Sequence, residues 1–380
     1  MIDSLLAVTS VPLDDSARAS LFRGVPALTF VMDSTGAAGR MRWARQLTEL
    51  DELLIALTGR RLFDAAARSR NGDAASSDEF DLMTGLTGLA LVLLRRTVHA
   101  RGELGGQHAE ALNEMLSRVL TYLVHRTRDR VLDDVLVPGW WSKPRRGTSV
   151  PVPGKRRADA AWGYADFGVA LGGAGILSLL AAASQARCTV PGQDAAIRQI
   201  TGWYVRWRQH ARGGVVWWPH RLTLEELRTG RTQQHPPTPT WAHGTPGIGR
   251  ALQMAAIALG DPLGRRAAEG AIASCLTRSQ LDSLTEPDLY AGTGGMYLTV
   301  LRAARDAEDF APLNARASLL THRVGAAADA VSRTSRTLPE PDDREFMYGK
   351  FGTRLVFQAL RSRAAPVSGV DAVLATGWVE

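Results

Sequence analysis

The 380-residue sequence predicts an all-α chain whose helices pair and close into a ring, and two observations carry that expectation. The first is a repeated glycine signature, Gly-x-x-Gly or a near equivalent set just before an apolar run, found at Gly24, Gly85, Gly172, Gly244, Gly292 and Gly349. The second is the spacing of the copies, 61, 87, 72, 48 and 57 residues, which leaves room each time for one helix forward, one back and their loops. An α-solenoid or an irregular bundle is the competing architecture, but unequal intervals and glycine-rich helix starts are less natural there.

In chain order, "FRGVPALTFVM" opens the first unit and "MRWARQLTELDELLIALTGRRLF" follows it with apolar residues at threes and fours, the helical period. "MTGLTGLALVLL" and "HAEALNEMLSRVLTYLVHRT" repeat the pair. The longest interval then holds a stretch rich in proline, glycine and basic residues, read as a surface loop over Gly139–Lys155 and as an insertion around 139–157. "ALGGAGILSLL" with "DAAIRQITGWYVRWRQHA" makes the third pair, and the irregular "GVVWWPHRLTLEELRTGRTQQHPPTPTW" leads to "AHGTPGIGRAL" with "PLGRRAAEGAIASCL". "YAGTGGMYLTVL" and "MYGKFGTRLVFQAL" complete the series. Each glycine pair is expected to let backbones meet where a Cβ would not fit or where positive φ is needed. The chain reads as one domain over 1–380, and both irregular stretches lead toward helix starts where an active-site rim would lie in a ring.

Composition narrows the function. Hydrophobic residues make up 45%, enough for a sizeable core, and the net charge of +7 is built almost wholly from arginine, lysine occurring only at 143, 155 and 350. No motif interleaves aromatic and basic residues as a nucleic-acid groove would, whereas an acidic peptide would be favoured by the field. Cys188 and Cys275 are far apart, form no metal-ligand spacing, and fit a reducing compartment, with the cytoplasm as the default. The N-terminus shows neither the basic start nor the small-residue cleavage site expected of a signal peptide, and the twenty uncharged residues "FGVALGGAGILSLLAAASQA" are diluted by glycine, alanine and serine, which favours a buried helix over a membrane span.

The order and spacing of these motifs, from "SLFRGVPALTFVM" to "REFMYGKFGTRLVF", resemble the lanthionine synthetase C-like cyclases. The resemblance implies an α/α-toroid, a barrel of inner and outer helices with the glycine repeats at inner-helix starts. Family members carry Trp-Cys-x-Gly, matched by Trp241-Ala242-His243-Gly244; Cys-His-Gly, matched by Tyr290-Ala291-Gly292; Ala-His-Gly, matched by Ala170-Leu171-Gly172; and an Asp before Gly-x-x-Gly, matched by Asp81. The family's zinc ligands fall on Ala242, Tyr290 and Ala291, and its acid–base histidine on Leu171, so no metal and no other cofactor is expected. The implied reaction is addition of a cysteine thiol to dehydroalanine or dehydrobutyrine in a precursor peptide, giving a thioether ring beside separate kinase-like and lyase enzymes. The chain is similar in this respect to the stand-alone cyclases of class V lanthipeptide pathways, which lack the ligands.

Within that frame His243 is the candidate base or a turn histidine, since an unperturbed imidazole titrates near neutrality. Asp81 either orients it and assists enolate protonation or caps the helix beginning near Gly85. Tyr290 either donates to a developing enolate oxygen or fills a cavity. Trp241, His220, Arg221, Tyr348 and Lys350 are candidate peptide contacts, against the plainer readings of a core tryptophan, a polar rim and a solvated lysine. A toroid that binds the precursor or its modifying enzymes as a scaffold is the non-catalytic alternative. Glycoside or terpene chemistry on a similar ring would want paired carboxylates, and Asp81 stands alone among the motifs.

Overall fold

The computed structural model describes residues 19–72, 75–103, 106–143, 163–309, 313–316, 319–321, 323–325, 345–362, 366 and 369–377. Among them run ten helices of ten residues or more: α1 (Gly24–Asp33), α2 (Ala44–Arg70), α3 (Leu86–Glu103), α4 (Gly106–Arg126), α5 (Gly173–Gln185), α6 (Gln193–Arg206), α7 (Thr245–Leu259), α8 (Pro262–Ser274), α9 (Thr293–Arg305) and α10 (Lys350–Ser362). Each of the six glycine signatures stands at the head of one of α1, α3, α5, α7, α9 and α10. These are the inner helices of an α/α-toroid, and α2, α4, α6 and α8 lie outside them. Burial separates the two layers. Gly173 through Ala183 of α5 are all buried, as an inner helix requires, whereas α4 buries Ala109, Leu112, Met115, Leu116, Val119, Leu120 and Leu123 and leaves its other face to solvent.

The turns before the inner helices are tied to one another by main-chain hydrogen bonds. Leu82 N–H donates to Ala170 O (3.1 Å), Ala170 N–H to Ala242 O (3.3 Å), Ala242 N–H to Tyr290 O (3.2 Å) and Tyr290 N–H to Met347 O (3.2 Å). Phe346 packs on Phe22, ring centroids 6.1 Å apart, which brings the last turn back to the first. The second glycine of the signature earns its place through close approach. A Cβ on Gly88, Gly175, Gly247, Gly295 or Gly352 would stand within 2.3 Å of the carbonyl oxygen six residues earlier. Positive φ, the other expected reason, applies only to Gly24 (68°) among the leading glycines of the described signatures; Gly172, Gly244 and Gly292 have negative φ.

Among the described residues three two-stranded ribbons interrupt the helices: β1 (Arg130–Leu132) with β2 (Val135–Val137), β3 (Tyr164–Asp166) with β6 (Arg221–Thr223), and β4 (Gln209–His210) with β5 (Val216–Trp217). The stretch Gly214–Trp241 is therefore less irregular than expected, holding β5, β6 and a short helix, Leu224–Thr229, started by a reciprocal Thr223–Glu226 capping box. The surface loop expected over Gly139–Lys155, in the insertion around 139–157, begins as core. Trp140 and Trp141 are buried, and Trp140 Nε1–H donates to Asp166 O (3.0 Å). Positions 144–157 lie outside the described residues.

The C-terminal turn Val370–Leu374 is held inside the ring. Arg302 on α9 clasps Asp371 through Nε (2.7 Å) and Nη2 (2.8 Å), Arg250 Nε–H on α7 donates to Thr376 O (2.5 Å), and Arg95 Nη1–H on α3 donates to Gly369 O (3.0 Å). No helix among the described residues is long and apolar enough to cross a membrane.

Candidate active site

The residue immediately before the leading glycine, or two before it, faces a common centre in three successive turns. His243 precedes Gly244, Tyr290 lies two before Gly292, and Tyr348 precedes Gly349. The Tyr290 hydroxyl and His243 Nε2 are 2.9 Å apart, and the Tyr290 and Tyr348 rings pack at 4.8 Å with their hydroxyls also interacting. Tyr348 is half exposed and marks the open side. On the other side the His220 ring stacks on His243, centroids 3.9 Å apart and 36° between planes.

Behind the histidines stands Asp166, which sequence reasoning passed over. Strand register sets it opposite Arg221. Its Oδ2 accepts from Arg221 Nε–H (2.8 Å) and lies 3.3 Å from His220 Nε2, and its Oδ1 accepts from Gly168 N–H (2.8 Å). The His220 contact is a close approach and not a well-aligned hydrogen bond, since Nε2 has no properly directed partner. Arg221 also lies over the Tyr164 ring at 4.5 Å. The one sequence signal for Asp166 was its place in "YADFG", the last charge before a twenty-residue uncharged run.

Burial works on these groups in different directions. Asp166 is buried, which opposes ionisation, yet His220, His243 and Arg221 overcome that and hold its carboxyl well below the usual range. His243 is pushed down to about 3, first by burial and then by the charges of His220 and Arg221. Tyr290 is raised, by burial first and then by Tyr348 and Asp166. Asp81 is raised to about 7 by burial, against hydrogen bonds from Thr84 N–H (2.6 Å) and Gly85 N–H (3.0 Å).

The remaining expected contacts fall in different places. Asp81 sits in the turn before α3, and Asp288 does the same work before α9, accepting from Ala291 N–H (2.7 Å) and Gly292 N–H (3.1 Å). Trp241 is not an exposed peptide contact: it is fully buried, its Nε1–H donates to Leu374 O (2.9 Å), and it meets the site through an edge contact with Tyr290. Arg221 is likewise not at a rim, because its guanidinium is drawn inward by Asp166. Lys350 begins α10, and its side chain lies outside what the structure describes.

Asp166, His220 and His243 offer three ligand atoms within 4.8 Å of one another, the one such cluster among the described residues. Arg221 shares Asp166 Oδ2 and Tyr290 engages His243 Nε2, while His220 Nε2 and His243 Nδ1 are buried without a hydrogen-bond partner. The positions matching the family's zinc ligands do not fit a metal. Ala242 is fully buried with N–H and C=O both in the inter-turn ladder, and neither it nor Ala291 carries a donor side chain.

A ring of inner and outer helices with polar residues converging at the inner-helix starts defines an α/α-toroidal protein with a polar centre. The chain belongs to the lanthionine synthetase C-like family, whose model matches residues 20–286. Among solved structures it is similar to nisin cyclase, at 14% identity and a TM-score of 0.75, over 99% of this chain and 84% of that one. No curated protein matches it in sequence.

Proposed function

We propose that this protein is a lanthipeptide cyclase that closes (methyl)lanthionine rings without the zinc of its family, acting as a single toroidal unit on a precursor peptide already dehydrated by other enzymes of its pathway. A cysteine thiol of the peptide loses its proton and adds to the β-carbon of dehydroalanine or dehydrobutyrine. The alkene electrons move to the adjacent carbonyl oxygen, and the resulting enolate takes a proton at the α-carbon.

The observation that carries this reading is the Tyr290 hydroxyl, set between His243 and Tyr348 on the open side of the ring. Burial keeps that phenol protonated, so it is a donor suited to a developing enolate oxygen. His243 serves as its anchor. Moving a proton from a thiol of pKa near 8.5 to an imidazole of about 3 is uphill by about 7 kcal/mol, which makes His243 a poor acceptor for the thiol proton. Asp81, raised to about 7 by burial, is held in the turn before α3 by Thr84 and Gly85.

The test is incubation of the chelator-treated protein with a dehydrated precursor peptide, following loss of free thiol and the configuration of the rings. Faster ring closure than in buffer, with one configuration favoured, is the expected result. Binding of the peptide with no acceleration would make the protein a scaffold.

A further inference from the structure

We propose that His220, aligned by Asp166, is the group that takes the thiol proton and returns it to the α-carbon, and this rests on the cyclase reading above. The S–H bond breaks with the proton passing to the His220 imidazole, and the C–S bond forms as the π electrons move onto the carbonyl oxygen facing Tyr290. The imidazolium then gives its proton to the α-carbon and the carbonyl re-forms. No electrons enter or leave, and His220 ends as it began.

Three features of the structure assign the role. His220 presents Nε2 to Asp166 Oδ2 at 3.3 Å, close enough for the carboxylate charge to favour a proton on that nitrogen without an aligned hydrogen bond, which leaves Nδ1 as the nitrogen that can take a proton. Its side chain is 31% exposed, so a peptide thiol can reach it, whereas His243 beneath it has Nδ1 buried and turned toward Gly168. The stack of His220 on His243, and the contact of His243 with Tyr290, set the proton acceptor one ring away from the enolate donor.

Asp166 is fixed more firmly than an incidental ion pair needs. The β3–β6 register places it, Gly168 N–H holds Oδ1, and Trp140 holds its carbonyl. A Cβ on Gly172 would stand 2.1 Å from that carbonyl oxygen, so the α5 turn closes directly over it. The charged and titratable groups around His220 are Asp166 and Tyr164 on β3, Arg221 on β6, His243 before α7 and Tyr290 before α9. Arg221 balances the carboxylate, and Asp166 is the positioning residue.

The experiment compares wild type, His220→Ala, His243→Gln and Asp166→Asn in thiol-consumption assays from pH 5.5 to 9 with chelator present, after circular dichroism has shown that each is folded. His220→Ala should lose about 100-fold in rate and should keep only the rise with pH that thiolate formation alone gives. Added imidazole should restore part of that rate, and no such rescue should occur for His243→Gln. Asp166→Asn should move the acid limb of the pH–rate profile while His220 remains. A His220→Ala protein with the wild-type acid limb, or one that imidazole does not rescue, would overturn the assignment. A wild type no faster than buffer would sink the cyclase reading itself. Nitrogen-15 spectra of labelled histidine test the alignment without activity: His220 should carry its proton on Nε2 and lose that preference in Asp166→Asn, and a wild-type proton on Nδ1 would overturn the proposal.

Discussion

Replacing Asp81 by asparagine should stabilise the protein at neutral and alkaline pH and leave it nearly unchanged in acid. The Asp81 carboxyl is raised from its ordinary 3.8 to about 7, chiefly because burial removes water from the charged form. A carboxyl raised on folding binds more protons in the native state than in the unfolded chain, so stability falls as pH climbs from about 4 and levels off above about 7. The full penalty is about three pH units, or about 4 kcal/mol, of which about 3 kcal/mol develops between pH 5 and pH 8. Asparagine keeps an Oδ1 to accept from Thr84 and Gly85 N–H and never ionises. Urea unfolding of both proteins across pH 5 to 8.5 should therefore show curves that diverge upward for the variant. Parallel curves would refute the reasoning, because they would mean that the carboxylate stays solvated or is compensated in the folded state.

His243 carries the opposite sign, on the acid side. Its pKa falls on folding to about 3, so its contribution is complete above about 6.5 and is lost as pH drops; His243→Gln should reduce the acid sensitivity of unfolding by about 3 kcal/mol between pH 7 and 4.5, and an unchanged pH dependence would count against burial of a neutral imidazole. Tyr290→Phe should keep Tm within a few degrees and lower ring-closing kcat about 100-fold, as loss of an enolate-oxygen donor does; a wild-type kcat would return Tyr290 to a packing role. Asp371→Asn strands the buried Arg302 guanidinium and should cost about 3 to 5 kcal/mol in calorimetry, while a loss under 1 kcal/mol would show that water reaches Arg302. Gly247→Ala places a Cβ 2.0 Å from Trp241 O and should lower Tm sharply, since a carbonyl in the α7 turn cannot swing aside; tolerance of alanine would contradict the close approach.

The helical layers were legible in the sequence because their cause is local. A glycine that must lie against the carbonyl six residues earlier recurs wherever that turn recurs, and the amphipathic face of α4 shows its period in "LNEMLSRVLTYL". His243, Tyr290 and Tyr348 could be singled out for a related reason, since each lies one or two positions before such a glycine. Asp166 could not. Its partnership with Arg221 spans 55 positions and depends on two three-residue strands, too short for alternation to show. Trp241 and Arg221 were expected to face the peptide for a related reason: aromatic and basic residues look alike at a rim and in a satisfied core until their partners, Leu374 O and Asp166, are known.

Ala242 shows why a ring of this family keeps its form when the positions of its metal ligands change. The turn is held by Ala242 N–H on Tyr290 O, by Ala242 O accepting from Ala170 N–H, and by the glycines at 244 and 247 that let α7 start against its own incoming strand. None of these contacts uses the side chain at 242, so the position could lose a ligand without strain on the fold. Its neighbour differs, because the His243 side chain turns into the centre and meets Tyr290 and His220 there. The polar centre of this toroid therefore lies one residue along the same turn and reaches across to the β3–β6 ribbon. The ribbon that brings Asp166 beside His220 is as much a part of the site as the inner-helix starts that the repeats announce.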